Sequence, residues 1–191
     1  MYVTAKRWGV IAVLLVLCLA PLQSTDFVVL NEQPSNYEVL QGPQDILLMG
    51  NSYTSANNLG NLVDGVMGAA SVQANVSSLT GGGLQFSQHA SNVASSGHQW
   101  NTTLKGTSWD WVVLQDQSQV PGFPRANQDW INSKDGAIDL NLAIERNGGE
   151  TVLLMTWGRR DGDSLNSARY PDYSTMQDEL AAGYLDYRDN M

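Results

Sequence analysis

The sequence predicts an α/β fold built on a parallel sheet that helices cover on both faces. Short, continuously apolar segments alternate along the chain with segments whose apolar residues recur at helical spacing. Continuous apolar runs are typical of strands buried on both faces, and their alternation with amphipathic helices is typical of parallel sheets. No repeat, low-complexity tract or internal linker interrupts the alternation, so one domain is expected.

Four segments are predicted as strands, at residues 45–50, 72–79, 111–114 and 151–156. Four others are predicted as helices, at residues 57–70, 84–95, 137–146 and 173–189. The third helix is expected to end at Asn147-Gly148-Gly149, because glycine is favoured just past a helix C-terminus. The fourth would carry one apolar stripe, formed by Met176, Leu180, Tyr184 and Tyr187.

Each predicted strand ends in small or polar residues. They are Ser52 after the first strand, residues 81–83 after the second, 115–118 after the third and 157–161 after the fourth. The carboxyl ends of parallel strands meet at one edge of a sheet, and ligands of open α/β sheets bind in the crevice there. The sequence therefore predicts a functional site at this edge.

Ser52 is the candidate nucleophile of that site. It follows Gly50 by two positions, on a tight bend between a strand and a helix, where its hydroxyl would be presented rather than packed. The N-terminus of the following helix is expected to stabilise developing negative charge. The alternative interpretation is an ordinary turn in which Ser52 or Asn51 caps the helix.

The run Gly50-Asn51-Ser52-Tyr53 resembles the first sequence block of the SGNH/GDSL hydrolases, usually Gly-Asp-Ser-Leu. The resemblance covers residues 45–160. It implies a three-layer α/β/α sandwich with a flavodoxin-like sheet. It also implies ester hydrolysis through a seryl ester intermediate, with Ser52 as the nucleophile and its backbone N–H as one donor to the oxyanion.

A glycine forms the second block of that family. A glycine after the second strand lets a backbone N–H approach the substrate with no Cβ in the way. Gly81-Gly82-Gly83 stands at this place, and Gly82 and Gly83 are the predicted oxyanion-binding residues. The alternative interpretation is a flexible turn.

The third block of the family is Gly-x-Asn-Asp, whose Asn side chain donates to the oxyanion. Here the corresponding residues are Gln115-Asp116-Gln117-Ser118. Gln117 falls at the Asn position and offers the same amide on a longer side chain, so it is the predicted donor. Gln115 replaces the family's glycine and is an alternative donor, while Gln117 as a plain polar loop residue is another interpretation.

The sequence shows no evident general base. In the family, a late Asp-x-x-His supplies the base and the carboxylate that orients it. The two histidines here, His89 and His98, precede that region and lie outside any such pattern, so both are expected on a polar helix face or loop. The alternative is that His89, on a short helix near the glycine segment, approaches the crevice and acts as the base. The domain is therefore expected to be truncated before this block, with the missing histidine and aspartate downstream of Met191.

The segment after the fourth strand allows two interpretations. Arg159 and Arg160 would bind an anionic group of the substrate while Trp157 stacks on a sugar. Alternatively, the arginines pair locally with Asp161 or Asp163 in a solvated loop, which the sequence favours. No metal site and no cofactor is expected.

The amino terminus has the composition of an export signal. Lys6 and Arg7 precede an apolar core over residues 9–20, and polar residues follow Pro21. Residues 1–25 are predicted as the signal peptide, 26–44 as a polar lead-in and 45–191 as the domain. An uncleaved membrane anchor and a lipid attached to Cys18 are alternatives.

Charge and cysteine content exclude several classes of function. Cleavage near residue 24 would leave eight basic residues against 19 acidic ones, a formal charge of −11. Such a surface repels nucleic acid, whose binding depends on Lys and Arg contacts to phosphates. Loss of Cys18, the one cysteine, leaves no disulfide, thiol nucleophile or cysteine metal site.

The predicted function is a secreted or otherwise extracytoplasmic serine ester hydrolase of SGNH type. Its expected substrates are acyl or acetyl esters of carbohydrates or lipids. Membrane contact is expected only through an uncleaved signal. The alternatives are a non-catalytic module of the same fold that binds glycans or acyl groups, and an acyltransferase that uses the same serine.

Overall fold

The computed structural model describes residues 42–191. The predicted signal peptide and most of the lead-in lie outside these residues. The four strands are β1 (Gln44–Gly50), β2 (Ala74–Thr80), β3 (Trp111–Leu114) and β4 (Glu150–Leu153). They form one parallel sheet in the order β2-β1-β3-β4, which confirms the predicted fold class. The order of the strands reverses between β1 and β3, where such sheets bind their ligands.

The helices are α1 (Ser52–Ser55), α2 (Leu59–Ala69), α3 (Phe86–Ala94), α4 (Gln99–Gly106), α5 (Gln128–Arg146) and α6 (Tyr173–Asn190). Among residues 42–191, no helix has the length and apolar content needed to span a bilayer. Short 3-10 helices lie at Ala56–Asn58, Val120–Gly122 and Ser164–Asn166.

One face of the sheet carries the main core. Leu47 and Met49 of β1 lie beside Val112 and Leu114 of β3, and all four side chains are fully buried. Helices α3, α4, α5 and α6 supply the residues packed against them, including Phe86, Trp100, Leu140, Ile144 and Tyr187. The predicted stripe of α6 is confirmed, since all four of its residues are buried.

The opposite face of the central strand is also buried. Ile46 is 5% exposed and Leu48 is 1% exposed. Helix α2 lies across β1 and β2 on this side. The close approach is seen at its Gly60, where an added Cβ would be 3.9 Å from Leu48 Cδ1 and 3.8 Å from Val76 Cγ1. The sheet therefore separates two helical layers, and burial on both sides explains the continuous apolar sequence of β1.

The predicted helix over residues 57–70 is wrong at its start. Asn57 and Asn58 have φ angles of 53° and 55°, in the left-handed region, so they break the segment between α1 and α2. Asparagine tolerates this conformation better than most residues because its short side chain bonds locally. The chain therefore leaves β1 through a separate helical turn, α1, before α2 begins.

Two other helical segments differ from expectation. Helix α4 is absent from the prediction because its sequence is polar except for Trp100 and Leu104, which lie one turn apart. Helix α5 begins nine residues earlier than predicted, at Gln128, because Asn127 caps it by accepting the N–H of Asp129 at 2.8 Å. Both helices are stabilised by tertiary burial that local periodicity does not reveal.

Candidate active site

Ser52 is exposed and is the first residue of α1, directly beyond the end of β1. Asn51 caps this turn: its Oδ1 accepts the Tyr53 N–H at 3.1 Å, and its carbonyl accepts those of Thr54 and Ser55 at 3.0 and 3.1 Å. The Ser52 N–H has no backbone partner among residues 42–191. It is therefore available to an oxyanion formed at its own side chain.

The long helix expected behind Ser52 is not there. Helix α1 has four residues, and the left-handed Asn57 and Asn58 separate it from α2. A helix dipole acts mainly through the N–H groups of the first turn, and here all but one of these groups bond to Asn51. Of the first-turn N–H groups expected to stabilise negative charge at Ser52, the N–H of Ser52 itself is the one that remains available.

Gln115 holds the turn that presents Ser52. Its Oε1 accepts the Asn51 N–H at 3.0 Å and the Thr54 hydroxyl at 2.8 Å, and the residue is 1% exposed. Its Nε2 donates to the Asp116 carbonyl. The amide is buried and bonds to the protein through both its oxygen and its nitrogen, so it supports the turn and is poorly placed to be the oxyanion donor.

Gly50 allows this close approach. A Cβ at Gly50 would lie 2.1 Å from Thr54 Oγ1 and 2.7 Å from Gln115 Oε1, distances that atoms do not adopt. Glycine is therefore required before Asn51 for the hydrogen bonds of Gln115 to form.

The Asn51 side chain joins the turn to two neighbouring loops. Its Nδ2 donates to the Leu84 carbonyl at 3.0 Å and to the Asp116 carbonyl at 3.3 Å. The residue is 2% exposed. The loops that follow β1, β2 and β3 thus meet at Asn51, a role that the sequence did not reveal.

The glycine segment forms the turn between β2 and α3. The Gly81 N–H donates to the Gly50 carbonyl at 3.1 Å, and the Gly81 carbonyl accepts the Leu84 N–H at 3.2 Å. Gly83 has a φ of 69°, which a side chain would strain. The N–H groups of Gly82 and Gly83 have no backbone partner within residues 42–191. These two residues, and not Gly81, have free donors beside the Ser52 turn.

Gln117 follows the buried Asp116 on the loop after β3. Its backbone is fixed at both ends, because its N–H donates to Asp116 Oδ1 at 2.8 Å and its carbonyl accepts the Val120 N–H at 2.9 Å. Its half-buried side chain has no hydrogen bond within residues 42–191. The Gln117 amide is therefore a free donor on a fixed backbone, as an oxyanion-binding group needs to be.

Asp116 is the centre of a buried network that the sequence did not reveal. Its Oδ1 accepts the N–H groups of Phe86 and Gln117 and the hydroxyl of Ser133 at 2.9, 2.8 and 3.1 Å. Its Oδ2 accepts the Tyr187 hydroxyl at 3.0 Å. One carboxyl group thereby ties the loop after β3 to helices α3, α5 and α6.

Burial sets the electrostatics of this network. Loss of solvation raises the pKa of Asp116 to about 6, although its hydrogen bonds to Phe86, Gln117, Tyr187 and Ser133 act in the opposite direction. Burial also raises the pKa of Tyr187, and the nearby Asp116 charge adds to that rise. Burial raises the pKa of Tyr184 as well, so both hydroxyls stay protonated. The Tyr187 hydroxyl donates to Asp116 Oδ2, whereas the Tyr184 hydroxyl accepts the Asp116 N–H at 3.3 Å.

The loop after β4 contains the paired arginines. Arg159 Nη1 lies 2.8 Å from Asp163 Oδ1, and Arg160 Nη2 lies 2.7 Å from Asp161 Oδ2. The local Arg–Asp pairing favoured by the sequence is confirmed. Arg159 Nη2 also donates to Ser118 Oγ at 3.1 Å, which joins this loop to the loop after β3.

An aromatic contact brings the loop after β4 to the Ser52 turn. The rings of Tyr53 and Trp157 have centroids 4.8 Å apart and planes inclined by 46°. Trp157 is 50% exposed. Loops from the ends of all four strands therefore meet around Ser52, as the strand pattern predicted.

Neither histidine is placed to act as a base for Ser52. His89 is fully buried and stacks on Trp100 with centroids 4.5 Å apart, so its expected position on a polar face is wrong. Neither of its nitrogens has a hydrogen-bond partner among residues 42–191, and burial lowers its pKa to about 4. His98 caps α4, where its Nδ1 accepts the Trp100 N–H at 3.3 Å.

The described part of the chain offers no cation site. Across residues 42–191, no group of three or more His, Cys, Asp or Glu side chains is arranged to hold a metal ion.

Comparison with solved structures identifies the fold. No protein-family profile matches the chain, and no curated protein matches it. A candidate SGNH hydrolase from Slackia heliotrinireducens is 20% identical with a TM-score of 0.61, over 78% of this chain and 76% of the other. A DUF4886 family protein from Bacteroides uniformis is 17% identical with a TM-score of 0.57, over 77% of this chain and 63% of the other.

An acetyl xylan esterase is similar at 11% identity and a TM-score of 0.51, over 76% of this chain and 73% of the other. At such low identity these similarities concern the fold. The chain has the α/β fold of the SGNH hydrolases, which confirms the fold that the resemblance implied.

Proposed function

We propose that the protein is a serine ester hydrolase of SGNH type with Ser52 as its nucleophile. The observation that carries the proposal is the exposed hydroxyl of Ser52 on a turn held by buried Asn51 and Gln115. Burying the polar side chains of Asn51 and Gln115 costs solvation energy, which a simple surface turn has no need to spend. A nucleophile does need its position fixed by such buried hydrogen bonds.

In the proposed reaction, Ser52 Oγ attacks the acyl carbon of the ester and its proton passes to a base. The carbonyl oxygen becomes an oxyanion, and its donors are the Ser52 N–H, an N–H of Gly82 or Gly83, and the Gln117 amide. The alcohol then leaves with a proton, which produces a seryl ester. Water attacks this ester, and the acid is released as Ser52 regains its proton.

The base is proposed to be neither His89 nor His98. His89 has no exposed surface, and His98 uses Nδ1 to cap α4. The resemblance implies that an Asp-x-x-His block supplies the base and the carboxylate that orients it.

The proposed substrates are acyl or acetyl esters of carbohydrates or lipids, and the proposed location is outside the cytoplasm. Similarity to an acetyl xylan esterase supports the ester class. The apolar core at residues 9–20 behind Lys6 and Arg7 supports export. The acidic composition argues against a nucleic-acid partner.

The alternative of a non-catalytic binding module gains no support from Gln115. This residue stands in place of the family's glycine, but its side chain supports the Ser52 turn. An acyltransferase would use the same serine and is distinguished by its products, because an added acceptor alcohol would then take the acyl group in preference to water.

Ester hydrolysis by matched serine variants tests the proposal. We expect Ser52→Ala to lower kcat/KM for p-nitrophenyl acetate by about 10²-fold or more, measured with and without added imidazole as an external base. Ser55→Ala is the control, since Ser55 is also exposed on α1. Equal rates for the wild type and Ser52→Ala would contradict the proposal.

A further inference from the structure

Trp157 is a half-exposed aromatic residue on a backbone that is fixed on both sides. Before it, the Thr156 hydroxyl donates to the Ser118 carbonyl at 2.9 Å. After it, the Gly158 N–H donates to Gln177 Oε1 at 2.9 Å. The loop is held by these bonds, so the fold does not require a large aromatic side chain at residue 157.

Close packing at Gly158 adds to this fixation. A Cβ at Gly158 would lie 2.6 Å from the Tyr173 carbonyl oxygen and 3.1 Å from Tyr173 Cδ2. The loop is thereby pressed against the start of α6, where Tyr173 is itself 51% exposed. The backbone next to Trp157 is therefore packed against Tyr173 and held in place.

The position of Trp157 relative to Ser52 follows from its contact with Tyr53. The two ring centroids are 4.8 Å apart, and Tyr53 is the residue next to Ser52 in the chain. A ligand resting on Trp157 would therefore lie beside the candidate nucleophile. We call Tyr53 and Trp157 the aromatic platform.

We propose that the aromatic platform binds a pyranose ring of the substrate, so that the ester cleaved at Ser52 is carried by a carbohydrate. This inference rests on the proposed function and specifies its substrate class. A pyranose has one face of C–H groups that packs on an aromatic ring, while its edges carry hydroxyl groups that remain in water. A half-exposed tryptophan suits such a ligand because it offers an apolar face with a wet surrounding.

An alkyl chain fits the same surface less well. The binding energy of an alkyl chain comes from apolar area removed from water, about 25 cal/mol per Å². The chain therefore binds well only where the protein encloses it. The platform covers a ligand from one side. Polar groups lie close by, including the Arg159 guanidinium, whose side chain is 39% exposed and which bonds Ser118 and Gln119.

The test measures sugar binding in the absence of the nucleophile. Calorimetric titrations of the Ser52→Ala protein use xylotetraose, cellotetraose and chitotetraose as probes, with octanoate as the alkyl probe. We expect at least one oligosaccharide to bind in the millimolar range, and Trp157→Ala in the same background to weaken it about tenfold. Trp157→Phe is expected to keep most of the affinity.

Leu165→Ala is the matched control, because Leu165 is an 88% exposed apolar residue in the same long loop after β4. We expect it to leave sugar affinity unchanged. The proposal is overturned if no oligosaccharide binds, if binding survives Trp157→Ala, or if octanoate alone binds in a Trp157-dependent way. Unfolding curves of Trp157→Ala and Trp157→Phe establish that both variants fold.

The two proposals fail separately. Sugar binding to Ser52→Ala needs no nucleophile, so it persists if Ser52 is not catalytic. Phosphonate labelling of Ser52 needs no sugar, so in the wild-type protein it tests the nucleophile alone. If no oligosaccharide binds to Ser52→Ala while the wild type is labelled at Ser52, the platform is overturned and the proposed nucleophile stands.

Discussion

The side chain of Gln115 accepts a hydrogen bond from the backbone N–H of Asn51 at 3.0 Å, across 64 residues of sequence. This bond joins the end of β3 to the end of β1, the two strands between which the order of the sheet reverses. The position of Ser52 is thus set by the neighbouring strand as well as by its own.

Removing this support is expected to affect both stability and reactivity. Gln115→Leu would leave the buried Asn51 N–H without an acceptor, at a cost of roughly 1–3 kcal/mol in the free energy of unfolding. It would also free the Ser52 turn, so we expect a slower reaction of Ser52 with a fluorophosphonate. Denaturant titration and labelling rates measure the two effects.

The control for Gln115→Leu is Gln128→Leu, because Gln128 is exposed at the start of α5. We expect that variant to match the wild type in labelling rate. Unchanged labelling in Gln115→Leu would show that the bond to Asn51 is not needed to position the serine.

The Tyr187 hydroxyl is expected to stabilise the fold through Asp116. It donates to the buried Asp116 Oδ2 at 3.0 Å, where no bulk water can replace it. Tyr187→Phe should lower the free energy of unfolding by roughly 1–3 kcal/mol. Tyr173→Phe is the control, since Tyr173 is half exposed, and a similar loss in both variants at pH 7 would contradict this account.

His89 and Asp116 are expected to oppose each other in the pH dependence of stability. Burial lowers the pKa of His89 from 6.5 to about 4, so the unfolded chain binds the extra proton as the pH falls through this range, and stability is lost. Burial raises the pKa of Asp116 from 3.8 to about 6. As the pH falls from 6 to 3.8, the folded protein binds this proton before the unfolded chain does, so the folded state gains stability.

Variants at these two sites separate the effects. His89→Phe should make the protein more stable relative to the wild type as the pH falls from 6.5 to 4, by on the order of 3 kcal/mol. Asp116→Asn should make the protein less stable relative to the wild type as the pH falls through 6, because the folded protein then no longer takes up the Asp116 proton. Urea titrations at several pH values measure both, and parallel curves for His89→Phe and the wild type would refute the assignment.

His98 is expected to have no role in catalysis. Its Nδ1 accepts the Trp100 N–H as the cap of α4, so His98→Asn should keep the cap and leave ester hydrolysis within about twofold of the wild type. A loss of activity at neutral pH in this variant, with unchanged stability, would identify His98 as the missing base.

The fold was predictable where local pattern and tertiary structure agree. The apolar run of β1 and the stripe of Met176, Leu180, Tyr184 and Tyr187 on α6 were read correctly because buried strands and amphipathic helices leave periodic patterns. Helix α4 was missed because two apolar residues make no pattern, and its stability comes from burial of Trp100 and Leu104.

The site was predictable in location but not in its supporting contacts. Strand order brings the polar ends of the strands together, and this follows from the fold class. Each of Asn51, Gln115 and Asp116 has hydrogen-bond partners that lie 30 to 71 residues away in the sequence. The one available signal was the polar run 115–118 directly after a buried central strand, where polar side chains need partners.

The central claim is that Ser52 is the nucleophile, and covalent labelling tests it most directly. The protein is treated with a fluorophosphonate, and the modified peptide is mapped by mass spectrometry. We expect a single adduct on Ser52 that is lost in Ser52→Ala and kept in Ser55→Ala. An adduct that persists in Ser52→Ala, or that maps to another serine such as Ser118, would contradict the claim.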